Sequence, residues 1–111
     1  MKFKRTEYGA LTVLSPKGDL VGDDVALFRE QTRQCLEEGG PDLTIDCAEI
    51  SGFDSGGLES LTELSRECRT RGGSLRLCSL DAVGRTILEL TRLNRQFDVY
   101  EDVEAAIRSR T

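Results

Sequence analysis

The stretch Asp54-Ser55-Gly56-Gly57 sets one hydroxyl between a carboxylate and two glycines. A serine in such a turn can act as a nucleophile if a nearby base takes its proton. Histidine is the common base, and the chain contains none. Lysine can replace it, but the only lysines are Lys2, Lys4 and Lys17. The Gly-x-Ser-x-Gly spacing of a nucleophile elbow is also missing, since the run reads Gly52-Phe53-Asp54-Ser55-Gly56. No catalytic residue is assigned, and the chain is not expected to be an enzyme. Two other chemistries remain for Ser55. Its oxygen can accept from a free backbone N–H in a first helical turn, stabilising by about 1 kcal/mol. A phosphate on that oxygen would be held by the N–H groups and dipole of the same helix start. It would add a charge of about −1.5 to −2 beside Asp54.

Metal and cofactor chemistry find little support. Cys35, Cys47, Cys68 and Cys78 lie 12, 21 and 10 residues apart, with no Cys-x-x-Cys pair. Without histidine, a mixed Cys/His zinc site is impossible, and four thiolates at these separations lack knuckle spacing. The cysteines fall on apolar sides of expected strands and helices, as core thiols in a reducing compartment do. Asp46, Asp54 and Asp81 follow or lie in separate strands and can approach one rim, with capping or solvation the expected role of each. No Gly-rich phosphate-binding motif occurs. The expectation is no metal and no cofactor.

The chain has 111 residues, enough for one domain spanning 1–111. Its net charge of −5 opposes direct nucleic-acid binding, which needs a basic surface to displace counterions. Six aromatics and no Trp make no stacking platform. No stretch approaches the ~18 apolar residues of a membrane span, so no membrane insertion is expected. The basic residues near Met1 precede no apolar run, so no secretory signal is read and a cytoplasmic location is expected. Charge is uneven. Residues 19–63 hold twelve acids and two arginines, whereas residues 66–95 hold three acids and seven arginines. An acidic surface of that kind can steer a basic protein partner.

The elements that must position Ser55 follow from periodicity and punctuation. Residues 2–7 and 10–14 read as a hairpin around Gly9, and Ser15-Pro16-Lys17-Gly18 is expected to break the second strand. Asp23 or Asp24 is expected to cap a helix over 25–38 with Val25, Phe28, Thr32, Cys35 and Leu36 inward. Gly39-Gly40-Pro41 stops it. Residues 42–50 read as one strand, with Leu43, Ile45 and Cys47 alternating. The helix after Ser55 carries Leu58, Leu61, Leu64 and Cys68 and ends at Arg71-Gly72-Gly73. Residues 74–80 form a strand. Asp81 caps a third helix with Val83, Ile87 and Leu90 inward and Leu88 off that stripe, towards solvent. Residues 97–100 are a short strand, and Glu101-Asp102 opens a last helix with Val103, Ala106 and Ile107 on one face. The class is α/β, a mixed sheet of about five strands with about four helices.

Three segments resemble the STAS domain, the fold of anti-sigma factor antagonists. Leu14-Ser15-Pro16-Lys17-Gly18-Asp19-Leu20-Val21 is similar to the family's segment ahead of its first helix. Ile50-Ser51-Gly52-Phe53-Asp54-Ser55-Gly56-Gly57-Leu58 resembles its Asp-Ser-Ser-Gly-Leu phosphorylation loop. Gly73-Ser74-Leu75-Arg76-Leu77 is similar to the strand after its second helix. The resemblance implies a partner switch. The unmodified antagonist binds an anti-sigma factor that is also a serine kinase, and so releases a sigma factor. Phosphorylation breaks that complex, and a phosphatase restores it. The implied contact residues are Asp23, Asp54, Ser55, Gly56, Leu58 and Glu59. The family's phosphoacceptor is the second serine of the loop, and here Gly56 stands there. Either Ser55 takes the phosphate or the chain is not switched this way. The alternative is a non-catalytic STAS subunit of a sensory scaffold or of a lipid or anion transporter complex.

Overall fold

The computed structural model describes residues 1–109. Strands β1 (Lys2–Tyr8) and β2 (Leu11–Leu20) form an antiparallel hairpin. Then follow α1 (Asp24–Gly39), β3 (Asp42–Asp46), β4 (Ile50–Phe53), α2 (Ser55–Thr70), β5 (Leu75–Cys78) and α3 (Ala82–Leu90). A single 3-10 turn (Leu93–Arg95), β6 (Asp98–Tyr100) and α4 (Val103–Arg108) complete the described chain. The sheet order is β1-β2-β3-β5-β6, with β4 also paired to β2. All pairings except β1 with β2 are parallel.

One face of this sheet meets α1 and α2. Leu43, Ile45, Leu75 and Leu77 join Phe28, Leu36, Leu61, Leu64 and Cys68 in one apolar core. Side chains alternate across a strand, so Arg76 points the other way. There its Nε donates to Ser109 Oγ at 2.8 Å, which places α4 over the opposite face. The four cysteines are free and buried.

The expected stripe of α1 is met at every position: Val25, Phe28, Thr32, Cys35 and Leu36 are buried. Its cap differs. Asp23 precedes α1 in helical conformation and makes no side-chain cap. The turn itself satisfies the first N–H groups: Asp24 N donates to Val21 O and Val25 N to Gly22 O. Asp24 instead pairs with the Met1 amino group at 3.4 Å.

Three further expectations are corrected. Pro16 does not break β2, which runs through it to Leu20. On one side Pro16 faces Phe3 of β1. On the other, β3 pairs with Leu11–Leu14 and β4 with Gly18–Leu20, leaving Pro16 in a gap where no N–H is needed. Residues 42–50 are not one strand. Ile50 N donates to Cys47 O at 3.1 Å, a turn that lifts β4 away from β5 and onto the far end of β2. The sheet thus has six strands, in the mixed α/β class expected.

The third correction concerns α3. Leu88 is 2% exposed, whereas Val83 is 67% and Leu90 80% exposed. The helix is rotated so that Gly84 and Leu88 are its buried residues, with Leu88 in the core. A Cβ at Gly84 would meet Leu80 Cδ2 at 3.1 Å and Asp81 Oδ1 at 3.3 Å.

Candidate functional site

Asp54 joins β4 to α2 in extended backbone geometry. Its Oδ1 accepts from Gly57 N at 2.7 Å and caps α2. Its Oδ2 accepts from Gly22 N at 2.9 Å. One carboxylate thus ties the start of α2 to the turn that launches α1. The Asp54 N–H adds a link to Leu20 O at 3.4 Å. The N–H donors of Gly22 and then Gly57 hold the Asp54 carboxyl below the usual carboxylate range, so it is ionised at neutral pH.

The two glycines of the loop differ in role. A Cβ on Gly57 would lie 2.2 Å from the Leu20 carbonyl oxygen, so only glycine lets α2 start this close to β2. A Cβ on Gly56 would meet Asp54 Oδ1 at 3.4 Å and Val25 Cγ2 at 3.9 Å. Position 56 therefore has room for a side chain.

Ser55 is not the cap that its position suggested. The cap must come from the residue before the first helical one, and that residue is Asp54. Ser55 is the first residue of α2 and is exposed. Among the described residues, no hydrogen bond engages its hydroxyl.

The other expected contact residues divide around this link. Asp23 is exposed and directly follows Gly22, the residue that Asp54 holds. Gly56 sits beside Asp54 and Val25. Asp23, Asp54, Ser55 and Gly56 therefore converge on the junction of the two helix starts. Leu58 is half-buried against the core, and its N–H donates to Asp54 O at 3.0 Å. Glu59 is exposed beyond it on α2. Sequence reasoning missed Gly22 and Leu20. Gly22, with φ of +54°, is readable as a turn, but its carboxylate partner lies 32 residues further on.

The two other acids expected near this rim are engaged locally. Asp46 accepts from Ala48 N at 3.2 Å and Ser15 Oγ at 3.4 Å, and Asp81 caps α3. Among the described residues, no group of three or more acids and thiols is placed to hold a metal ion. A groove of about 370 Å³ between α1 and α2 is bridged by Arg29 and Glu63 at 3.1 Å. Ser60 lines it, and its hydroxyl donates to Gly57 O at 2.6 Å. Burial pushes the Cys68 thiol up to about 12 and the Cys78 thiol up to about 11, and raises Cys35 and Cys47 as well. Such thiols stay protonated at neutral pH and are poor nucleophiles. Among the described residues, no helix is long and apolar enough to cross a membrane.

The hairpin, the alternating elements and the capped loop point to one family, and its model matches residues 2–106. The chain belongs to the STAS domain family. Three solved structures show the same fold. A Thermotoga maritima protein described as a candidate anti-sigma factor antagonist is 20% identical, with a TM-score of 0.90 over 96% of this chain and 92% of that one. The phosphorylated form of the Bacillus protein SpoIIAA, itself named an anti-sigma factor antagonist, is 17% identical. Its TM-score is 0.73 over 97% of this chain and 99% of that one. The murine anion transporter Slc26a9 is 17% identical, with a TM-score of 0.76 over 93% of this chain but 18% of the transporter. At these identities the likeness concerns the fold.

Proposed function

We propose that this STAS domain is a cytoplasmic anti-sigma factor antagonist, a non-catalytic module that docks on an anti-sigma factor of the serine-kinase type and releases a sigma factor. The observation that carries the reading is the Asp54 link. It fixes the starts of α1 and α2 side by side, with Asp23 and Ser55 exposed at the junction. Asp23, Asp54, Ser55, Gly56, Leu58 and Glu59 form the proposed contact surface. A fixed surface is suited to docking because little ordering entropy is lost on binding. Phosphate control falls to Ser55, because Gly56 has no hydroxyl. A phosphate there would meet the free N–H groups of α2 and the negative charge of Asp54. A phosphatase would reverse it.

Calorimetry with an anti-sigma kinase tests the docking, and intact-mass analysis after addition of ATP tests the switch. The expected result is a complex that Glu59→Lys weakens about tenfold or more. Failure to bind any such kinase rejects the reading. Binding without a phosphate on Ser55 keeps the docking and removes the switch. A second reading, a non-catalytic subunit of a sensory scaffold or of a lipid or anion transporter, draws on Gly56 and on the likeness to the transporter domain. Affinity for a transporter in place of a kinase would favour it.

A further inference from the structure

Helix α3 carries two apolar faces. Gly84 and Leu88 enter the core. Val83, Ile87 and Leu90 recur at i, i+4 and i+7, so they form a second stripe along the helix. Both ends of that stripe are open: Val83 is 67% and Leu90 80% exposed, the highest values among the exposed large apolar residues. Ile87 is half-buried between them. One exposed leucine is ordinary, but an aligned stripe is a surface without a partner.

We propose that the stripe is the interface with a second copy of this chain, the two α3 helices lying antiparallel about a two-fold axis between Thr86 and Ile87. The sequence is self-complementary about that point. Val83 meets the partner's Leu90, and Ile87 meets the partner's Thr86. At the ends, Asp81 comes near the partner's Arg92. Every contact occurs twice, as an isologous interface requires. The antiparallel arrangement also sets the positive end of each helix dipole beside the negative end of the other. Among the described residues Arg92 has no carboxylate partner of its own. A lipid surface fits less well. The chain carries a net charge of −5, and the stripe holds neither Lys nor an aromatic anchor. Three side chains on a nine-residue helix bury less than the ~800 Å² per partner of a standard interface, so the dimer is weak and concentration-dependent. This interface uses none of the proposed docking residues and stands without that reading.

Cross-linking tests the register. The four native thiols are buried and protonated, so introduced surface thiols report alone. Val83→Cys and Leu90→Cys proteins are oxidised singly and mixed. The expected result is a mixed disulfide dimer in several-fold excess over either self-linked dimer. Sedimentation equilibrium of the unmodified chain, up to about 1 mM, is expected to show dimer, with association at least about tenfold weaker in Leu90→Asp. Three results overturn the proposal: a monomer at all concentrations, statistical cross-linking, or unchanged association in Leu90→Asp. Binding of a monomer to phosphatidylglycerol vesicles, lost in Leu90→Asp, would also overturn it and assign the stripe to a membrane.

Discussion

The starts of α2 and α3 use the same local chemistry for different ends. Asp54-Ser55-Gly56-Gly57 and Asp81-Ala82-Val83-Gly84 each place an Asp cap three residues ahead of a glycine. In both, Oδ1 accepts from that glycine's N–H at 2.7 Å. They part beyond the cap. Asp54 uses its second oxygen to hold Gly22, whereas Asp81 serves α3. Gly57 lies against the backbone of Leu20, which cannot move aside. Gly84 lies against the tip of the Leu80 side chain, which can. A cap alone starts a helix. The long-range oxygen and the backbone approach turn one of the two starts into a rigid surface.

The sharpest test of that difference is a pair of alanines. Gly57→Ala places a methyl in the Leu20 carbonyl and is expected to cost about 3 kcal/mol or more in urea unfolding. Gly84→Ala is expected to stay within about 1 kcal/mol of the parent, since the shift of Leu80 offsets the gain in helix propensity. Equal losses would erase the contrast. The orientation of α3 gives the next effect. Leu88→Ala is expected to lose about 3 kcal/mol, and Leu90→Ala less than about 0.5 kcal/mol. The reverse order would mean that the helix is turned the other way.

The caps come third. Asp81→Ala is expected to cost about 1 kcal/mol. Asp54→Ala releases two N–H groups and is expected to lower the melting temperature further. Because its carboxyl titrates below the ordinary value of 3.8, its contribution is complete above that pH and fades as pH falls through the native value. Asp54→Asn should therefore flatten the acid limb of the stability curve. The smallest effect on stability is Gly56→Ser, which has space around its Cβ. Its expected signature is functional: a new phosphate at position 56 when an anti-sigma kinase of the proposed type and ATP are present. No transfer to that serine would show that the loop geometry differs from the family's phosphorylation loop.

The α1 stripe was legible because its apolar residues fit one helical face and no other. Helix α3 was not, because it offers two. Val83, Ile87 and Leu90 outnumber Leu88, so periodicity selects the wrong face. What decides is the burial of Leu88 in the common core, a tertiary effect. Pro16 was misread for a related reason. A proline opposes a strand only where a neighbour needs its N–H, and the gap between β3 and β4 cannot be seen in sequence. At the site, Asp54 and Ser55 were both visible as polar groups at a helix start. That Asp54 caps and Ser55 does not follows from where the first helical residue falls. The hold on Gly22 links positions 32 apart and leaves no local trace.

Among the described residues, strand β4 pairs only with the last residues of β2, while β3 is held on both sides by β2 and β5. The strand that leads into the candidate loop is thus held by one neighbour where β3 is held by two. In amide exchange its protons should be replaced earlier than those of β3. A bound partner should slow that exchange before it alters any other part of the molecule.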